Sequence, residues 1–277
     1  MRVISAVALL TLSAAVAPAL AQVAPESPTT LVVSGESRAP VKMAAWEKGG
    51  AVQSAAGDAA GKAPREAVRY EAKMVAWPTA TVKVLTFTKK GGGVLHPITD
   101  ETTVYVLSGS VDTTVDGKAV TLGQGDLASL PKGALTNAGS KAGDAVVVAW
   151  TAASLTPGAT PAVLRAADVP PNKMGQMAIR RYNFPGNSVR AVTQEPGFKT
   201  TPASAKTDSL IYVTSGAMTF FEDGQTFQVK AGDFLREVAG LSHHWDVGVL
   251  SSFVTTSALP VGAGPIDPNK ATDRPPQ

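Results

Sequence analysis

The 277-residue sequence contains no cysteine and only three histidines, His96, His243 and His244. Without cysteine no disulfide braces the chain and no lipid can be carried on an N-terminal thiol, so packed cores must supply its stability. Charge is also sparse: a net +3 gives no basic footprint for nucleic acid. The densest basic pair beside an aromatic, Arg180-Arg181 before Tyr182, reads as the edge of a strand. Beyond the N-terminus, no run reaches the about 20 apolar residues that a membrane-spanning helix needs.

What is present begins with Arg2, the apolar run Val3 to Val16 and then Ala19-Leu20-Ala21. That order of basic, hydrophobic and small residues is that of a secretory signal peptide, cleaved after Ala21. The expected localisation is therefore periplasmic or secreted, with no membrane anchor after cleavage. The rest of the chain is long enough for two domains of about 100 residues, each with its own core.

An internal repeat organises that length. The first copy reads Val104-Tyr-Val-Leu-Ser-Gly, then Asp116-Gly117, then Gly125-Asp126 and Gly133. The second reads Ile211-Tyr-Val-Thr-Ser-Gly, then Asp223-Gly224, then Gly232-Asp233 and Gly240, each pair 107 residues apart without a gap. Short β-branched runs between turn residues argue an all-β unit, and the two Asp-Gly pairs are hairpin turns needing positive φ. Val104 to Leu107 and Ile211 to Val213 are apolar on both faces. Such strands line a barrel and also pack against a second sheet. Periodicity alone yields a sandwich or jelly roll, twice.

The pattern Tyr-Val-x-Ser-Gly, a DG turn, Gly-Asp, then Pro-x-Gly or its remnant resembles the cupin superfamily, over roughly residues 82–152 and 187–257. The resemblance implies an all-β fold of two tandem cupin-type double-stranded β-helix (jelly-roll) barrels. The expected division is a signal peptide over 1–21, an arm over 22–77, barrel 1 over 78–157, a connection over 158–186, barrel 2 over 187–259 and a Pro-rich tail over 260–277. Trp46 and Trp77 read as isolated anchors of the arm.

The resemblance also implies a divalent metal in each barrel, held by three imidazoles and one carboxylate. An H-x-H pair suits this because residues i and i+2 of a strand face the same side. Matched to that pattern, barrel 1 offers His96, Ile98, Thr102 and Thr136, with Glu101 one residue from the carboxylate place. Strand alternation aims Glu101 outward unless a bulge shifts the register. Barrel 2 offers Ala203, Ala205, Ser209 and His243, with Asp208 in the place of Glu101. One imidazole per barrel falls short of the three or four ligands a tight site needs. No cofactor is expected; the alternative is Fe, Mn, Ni or Zn on His96 and Glu101.

Lost ligands leave room. His243 and Trp245, two apart, are expected to face into barrel 2 and seat a ring-shaped ligand, a sugar or aromatic acid; the bland alternative is that both are core residues. His244 is expected to point the other way. Thr102 and Thr136 are the corresponding ligand-binding candidates of barrel 1. There His96 and Glu101, or Asp100, could instead form an acid/base pair behind the Gly-rich Lys89 to Gly93, as in metal-free cupin enzymes. The function expected is an exported bicupin binding a small organic ligand, with room for a homo-oligomer. The alternative is a dioxygenase or a metal-free isomerase or lyase using His96 and Glu101.

Overall fold

The computed structural model describes residues 26–27, 31–42, 70–77, 80–87, 96–97, 102–130, 135–136, 143–152, 161–184 and 187–258. The signal segment, Trp46, Lys89 to Gly93, Ile98, Asp100, Glu101 and the tail from residue 260 lie outside them, as do the side chains of His96 and Thr136.

Two short strands, β1 (Val32–Val33) and β2 (Val41–Lys42), precede β3 (Tyr70–Trp77), β4 (Ala80–Phe87), β5 (His96–Pro97), β6 (Thr102–Ser108), β7 (Ser110–Val115), β8 (Lys118–Gly123), β9 (Leu127–Leu130), β10 (Leu135–Thr136) and β11 (Ala145–Ala152). Then come β12 (Ala162–Leu164), β13 (Asn172–Met174), β14 (Met177–Phe184), β15 (Asn187–Gln194), β16 (Ala203–Ser204), β17 (Ser209–Ser215), β18 (Ala217–Glu222), β19 (Gln225–Lys230), β20 (Phe234–Glu237), β21 (Ser242–Val247) and β22 (Ser251–Ala258). The described residues contain no α-helix.

The sequence repeat is a structural repeat. Strands β3, β4, β6, β7, β8 and β9 recur as β14, β15, β17, β18, β19 and β20 at the same 107-residue offset. Each unit carries a seven-stranded sheet: β12-β9-β6-β11-β4-β3-β2 in the first and β1-β20-β17-β22-β15-β14-β13 in the second. The opposing sheet is β16-β21-β18-β19 in barrel 2 and the pairs β10-β5 and β7-β8 in barrel 1. At the hairpins, Asp116 and Asp223 have φ of 51° and 48°, the left-handed conformation that the Asp-Gly pairs led us to expect.

The large sheets pack against each other through their outer faces. Their shared core takes Val75, Trp77, Tyr105, Leu127 and Trp150 from the first unit and Tyr182, Val189, Leu210, Phe234 and Val254 from the second. Val106, Val111, Leu122 and Leu130 fill barrel 1, while Ile211, Val213, Phe220, Trp245 and Phe253 fill barrel 2. This accounts for the doubly apolar strands: Tyr105 and Leu210 face the partner barrel, and their neighbours Val106 and Ile211 face their own. Burial of each large apolar side chain contributes about 1.5–3 kcal/mol.

The units also exchange edge strands. β1, ahead of barrel 1, pairs with β20 of barrel 2, and β12 pairs back onto β9 of barrel 1. Each crossing strand runs into a 3-10 turn, at Gly35–Ser37 and Ala166–Asp168. The Asp of each Gly-Asp motif clasps that turn. Asp233 accepts from the amides of Gly35 and Lys230, both at 2.9 Å. Asp126 accepts from the amides of Ala166 (2.8 Å) and Gly123 (2.9 Å) and from Arg165 Nη1 (2.7 Å). At Gly35 the approach is so close that a Cβ would lie 2.0 Å from the Gly232 carbonyl oxygen, so only glycine fits. Tyr182 donates its hydroxyl to the Gly125 carbonyl across the same interface.

β3 (70–77) and β14 (177–184), assigned from sequence to the arm and the connection, pair along their full length with β4 and β15. Val75, Trp77 and Tyr182 on these strands serve the inter-barrel core, while Ala72, Met177 and Ile179 face the interior of their own barrel.

Candidate functional site

The two barrels present the place of the family's metal in different ways. In barrel 1, His96 and Thr136 are Cα partners across β5 and β10. In barrel 2 the matching cross-strand pair is Ala203 and His243. Each barrel thus keeps one imidazole of the pair, on opposite strands. Thr102 opens β6 opposite Leu130, and its counterpart Ser209 opens β17 opposite Glu237.

The interior end of barrel 2 is polar. His243 and Trp245 share one face of β21, with Glu222 and Phe220 as their Cα partners on β18. Trp245 is 4% exposed and packs against Phe220 and Phe253, with ring centroids 4.5 and 5.6 Å apart. Its indole Nε1 donates to Glu237 Oε1 at 3.1 Å, which ties the two sheets together across the barrel. The indole is therefore a core residue with a committed polar edge, and His243, its side chain 15% exposed, is the more accessible of the two. His243 Nε2 stands 3.6 Å from Glu237 Oε1. His244 points to the opposite face and stacks on Phe221 at 4.1 Å. Asp208 lies outside the cluster, held by Arg236 Nε (2.9 Å) and Nη2 (2.5 Å).

Two acids here escaped the sequence reading. Glu222 is fully buried; its Oε1 accepts from the Val238 amide at 2.7 Å, and its Oε2 has no partner. Burial, reinforced by the nearby Glu237 charge, pushes the Glu222 carboxyl up to about 7, against the pull of the Val238 amide and Arg236. Glu237 is 7% exposed. Their counterparts 107 residues earlier are Val115 and Leu130, both buried in the apolar core of barrel 1. A column-by-column comparison of the two copies for apolar residues turned acidic would have found them.

Further polar atoms end without partners in the same interior: His243 Nδ1 and Arg190 Nε. Arg190, on β15, donates from Nη2 to Ser257 Oγ at 3.2 Å. Burial holds its pKa below the ordinary guanidinium range, and the Glu237 charge opposes that shift.

These donors do not fit the family's metal in barrel 2. Of the four ligand places that the resemblance implies, three hold Ala203, Ala205 and Ser209, and Glu237 already accepts from the indole. Among the described residues no group of three or more His, Asp or Glu is disposed to hold an ion. For barrel 1, Glu101 and the side chain of His96 lie outside the described residues.

Comparison with known proteins agrees with this architecture. The EutQ-like cupin domain family matches residues 76–154, the first barrel. Oxalate decarboxylase from Lactobacillus farciminis, in a formate complex, is similar at 11% identity and a TM-score of 0.64, over 85% of this chain and 88% of that one. A mutant of Bacillus subtilis oxalate decarboxylase superposes with a TM-score of 0.63 at 13% identity, over 84% and 78% of the two chains. Protein Ylba from E. coli does so with 0.57 at 18% identity, over 69% and 83%. No curated protein sequence matches the chain. An all-β pair of barrels with exchanged edge strands is the class that fold and comparison define. Residues 76–154 match a cupin domain, and the chain as a whole has the two-barrel fold of the oxalate decarboxylases it resembles.

Proposed function

We propose that this is an exported bicupin that holds a small organic ligand, a sugar or an aromatic acid, at His243 in barrel 2 without the family's divalent metal. The observation that carries the reading is the set of buried polar atoms left without partners there, His243 Nδ1 and Glu222 Oε2. Buried polar groups are almost always satisfied, and an unsatisfied one costs about 1–3 kcal/mol. A bound molecule bearing hydroxyl or carboxyl groups would meet that demand. Trp245 serves such a site from behind, holding Glu237 in place through its indole N–H. In barrel 1, Thr102 and Thr136 are the corresponding ligand-binding candidates. The mature chain begins at Gln22 in the periplasm or outside the cell.

A second reading places an enzyme in barrel 1, a dioxygenase or a metal-free isomerase or lyase using His96 and Glu101. What supports it is the β5–β10 register, in which His96, the residue matched by sequence to the family's first ligand, is the cross-strand partner of Thr136.

The test is calorimetric titration of sugars and aromatic acids into the mature protein and His243→Ala. Loss of about 1–3 kcal/mol of affinity is the expected result for a buried hydrogen bond. A variant that loses stability with unchanged affinity would make His243 a core residue and end the binding reading for barrel 2.

A further inference from the structure

We propose that the ligand of barrel 2 is a carboxylic acid, seated with its carboxylate on the guanidinium of Arg190. The inference rests on the reading of barrel 2 as the ligand site and names the chemical class it takes.

Arg190 and Arg181 are Cα partners on β15 and β14, so both side chains leave the same face of the sheet. That face is the barrel interior: Val192, two residues from Arg190, belongs to the barrel 2 core, and Met177 and Ile179 pack on it. The alternate residues Tyr182 and Val189 face the other barrel. Like charges directly opposite on a sheet destabilise it, and a buried cation without an anion costs more. Yet among the described residues no carboxylate lies within ion-pair distance of Arg190, which donates only to the neutral Ser257 hydroxyl and leaves Nε unpaired. The acid whose charge reaches it, Glu237, is engaged by Trp245.

A planar guanidinium with a free edge matches a carboxylate through two parallel N–H···O bonds, a fit that a lone hydroxyl cannot reproduce. The rest of the ligand would then meet His243 Nδ1 and Glu222 Oε2. With its carboxyl raised to about 7, Glu222 carries a proton below neutrality and can donate to the ligand instead of repelling it. The other charges around the site are Glu237 and Arg236 on β20 and Asp208 before β17, the last two paired with each other.

The experiment compares matched pairs by calorimetry on the mature chain: glucuronate against glucose, and benzoate against benzyl alcohol, with inorganic phosphate as a third anion. In at least one pair the acid should bind tenfold or more tightly than its neutral partner. Arg190→Gln should abolish that preference, weakening the acid far more than its neutral partner, and Arg190→Lys, which keeps the charge but not the fork, should retain part of it. Far-ultraviolet circular dichroism and thermal unfolding of both variants confirm that they fold. Neutral ligands that bind as well as acids, in wild type and Arg190→Gln alike, overturn the carboxylate assignment. If His243→Ala still weakens them, barrel 2 remains a ligand site. Phosphate bound as tightly as the acids overturns the assignment too. Absence of binding by every compound to the wild type overturns both readings.

Discussion

The two barrels share a backbone plan at a 107-residue offset and differ in what they put inside it. Where barrel 1 buries Val115, Leu130 and Phe87, barrel 2 buries Glu222, Glu237 and Gln194. The described part of the first interior is packed with apolar side chains; the second carries Glu222, Glu237, Arg190 and His243, with Glu237 bonded to the indole of Trp245. The inter-barrel side behaves in the opposite way. Tyr105 and Tyr212, Leu127 and Phe234, and Asp126 and Asp233 are matched in both copies. At these positions the two copies are alike where the halves join and differ inside the barrels.

That contrast can be broken from the inside first. Trp245→Ala removes the indole that joins the sheets of barrel 2 and leaves a cavity between Phe220 and Phe253. Chemical denaturation should show a loss of about 3–5 kcal/mol. The matched half of the contrast is tested by the clasps. Asp233→Ala strands the amides of Gly35 and Lys230, and Asp126→Ala those of Ala166 and Gly123. Each should cost about 2–3 kcal/mol, and the two losses should agree; a large effect in one copy alone would undo the claim of equivalence.

The smallest effect concerns Glu222 and depends on pH. Its carboxyl titrates near 7 in the folded chain against an ordinary 4.5. Between those values the folded state keeps a proton that the unfolded state has released, so stability falls as pH rises through the window and levels off above about 7. Glu222→Gln, which keeps the acceptor for the Val238 amide, should remove this slope. Urea denaturation should find the variant about 2 kcal/mol more stable than wild type at pH 8, with no such gain at pH 4.5. An equal gain at both values would show that burial has not raised the Glu222 carboxyl.

Much of the fold was legible in the sequence because it is local and repeated. The Asp-Gly hairpins, the Gly-Asp corners and the runs Val104 to Leu107 and Ile211 to Val213 each signal turn or strand by themselves, and the fixed offset signals the duplication. The exchange of β1 and β12 was not legible, since strands of two or three residues carry no periodicity and their partners are distant: Val33 pairs with Phe234. The site was half legible. His243 was found by comparison with the family's ligand places, but Glu222 and Glu237 occupy none of them. They join His243 only through the β18–β21 pairing and the closure of one sheet over the other.

The central claim is that barrel 2 serves an organic ligand and not a metal. Native mass spectrometry of the chain, purified without added ligand or metal, addresses that claim most directly. The account predicts an added mass of one small organic acid, absent in His243→Ala. An added mass of one divalent metal ion that disappears in His96→Ala would contradict it and move the function to barrel 1.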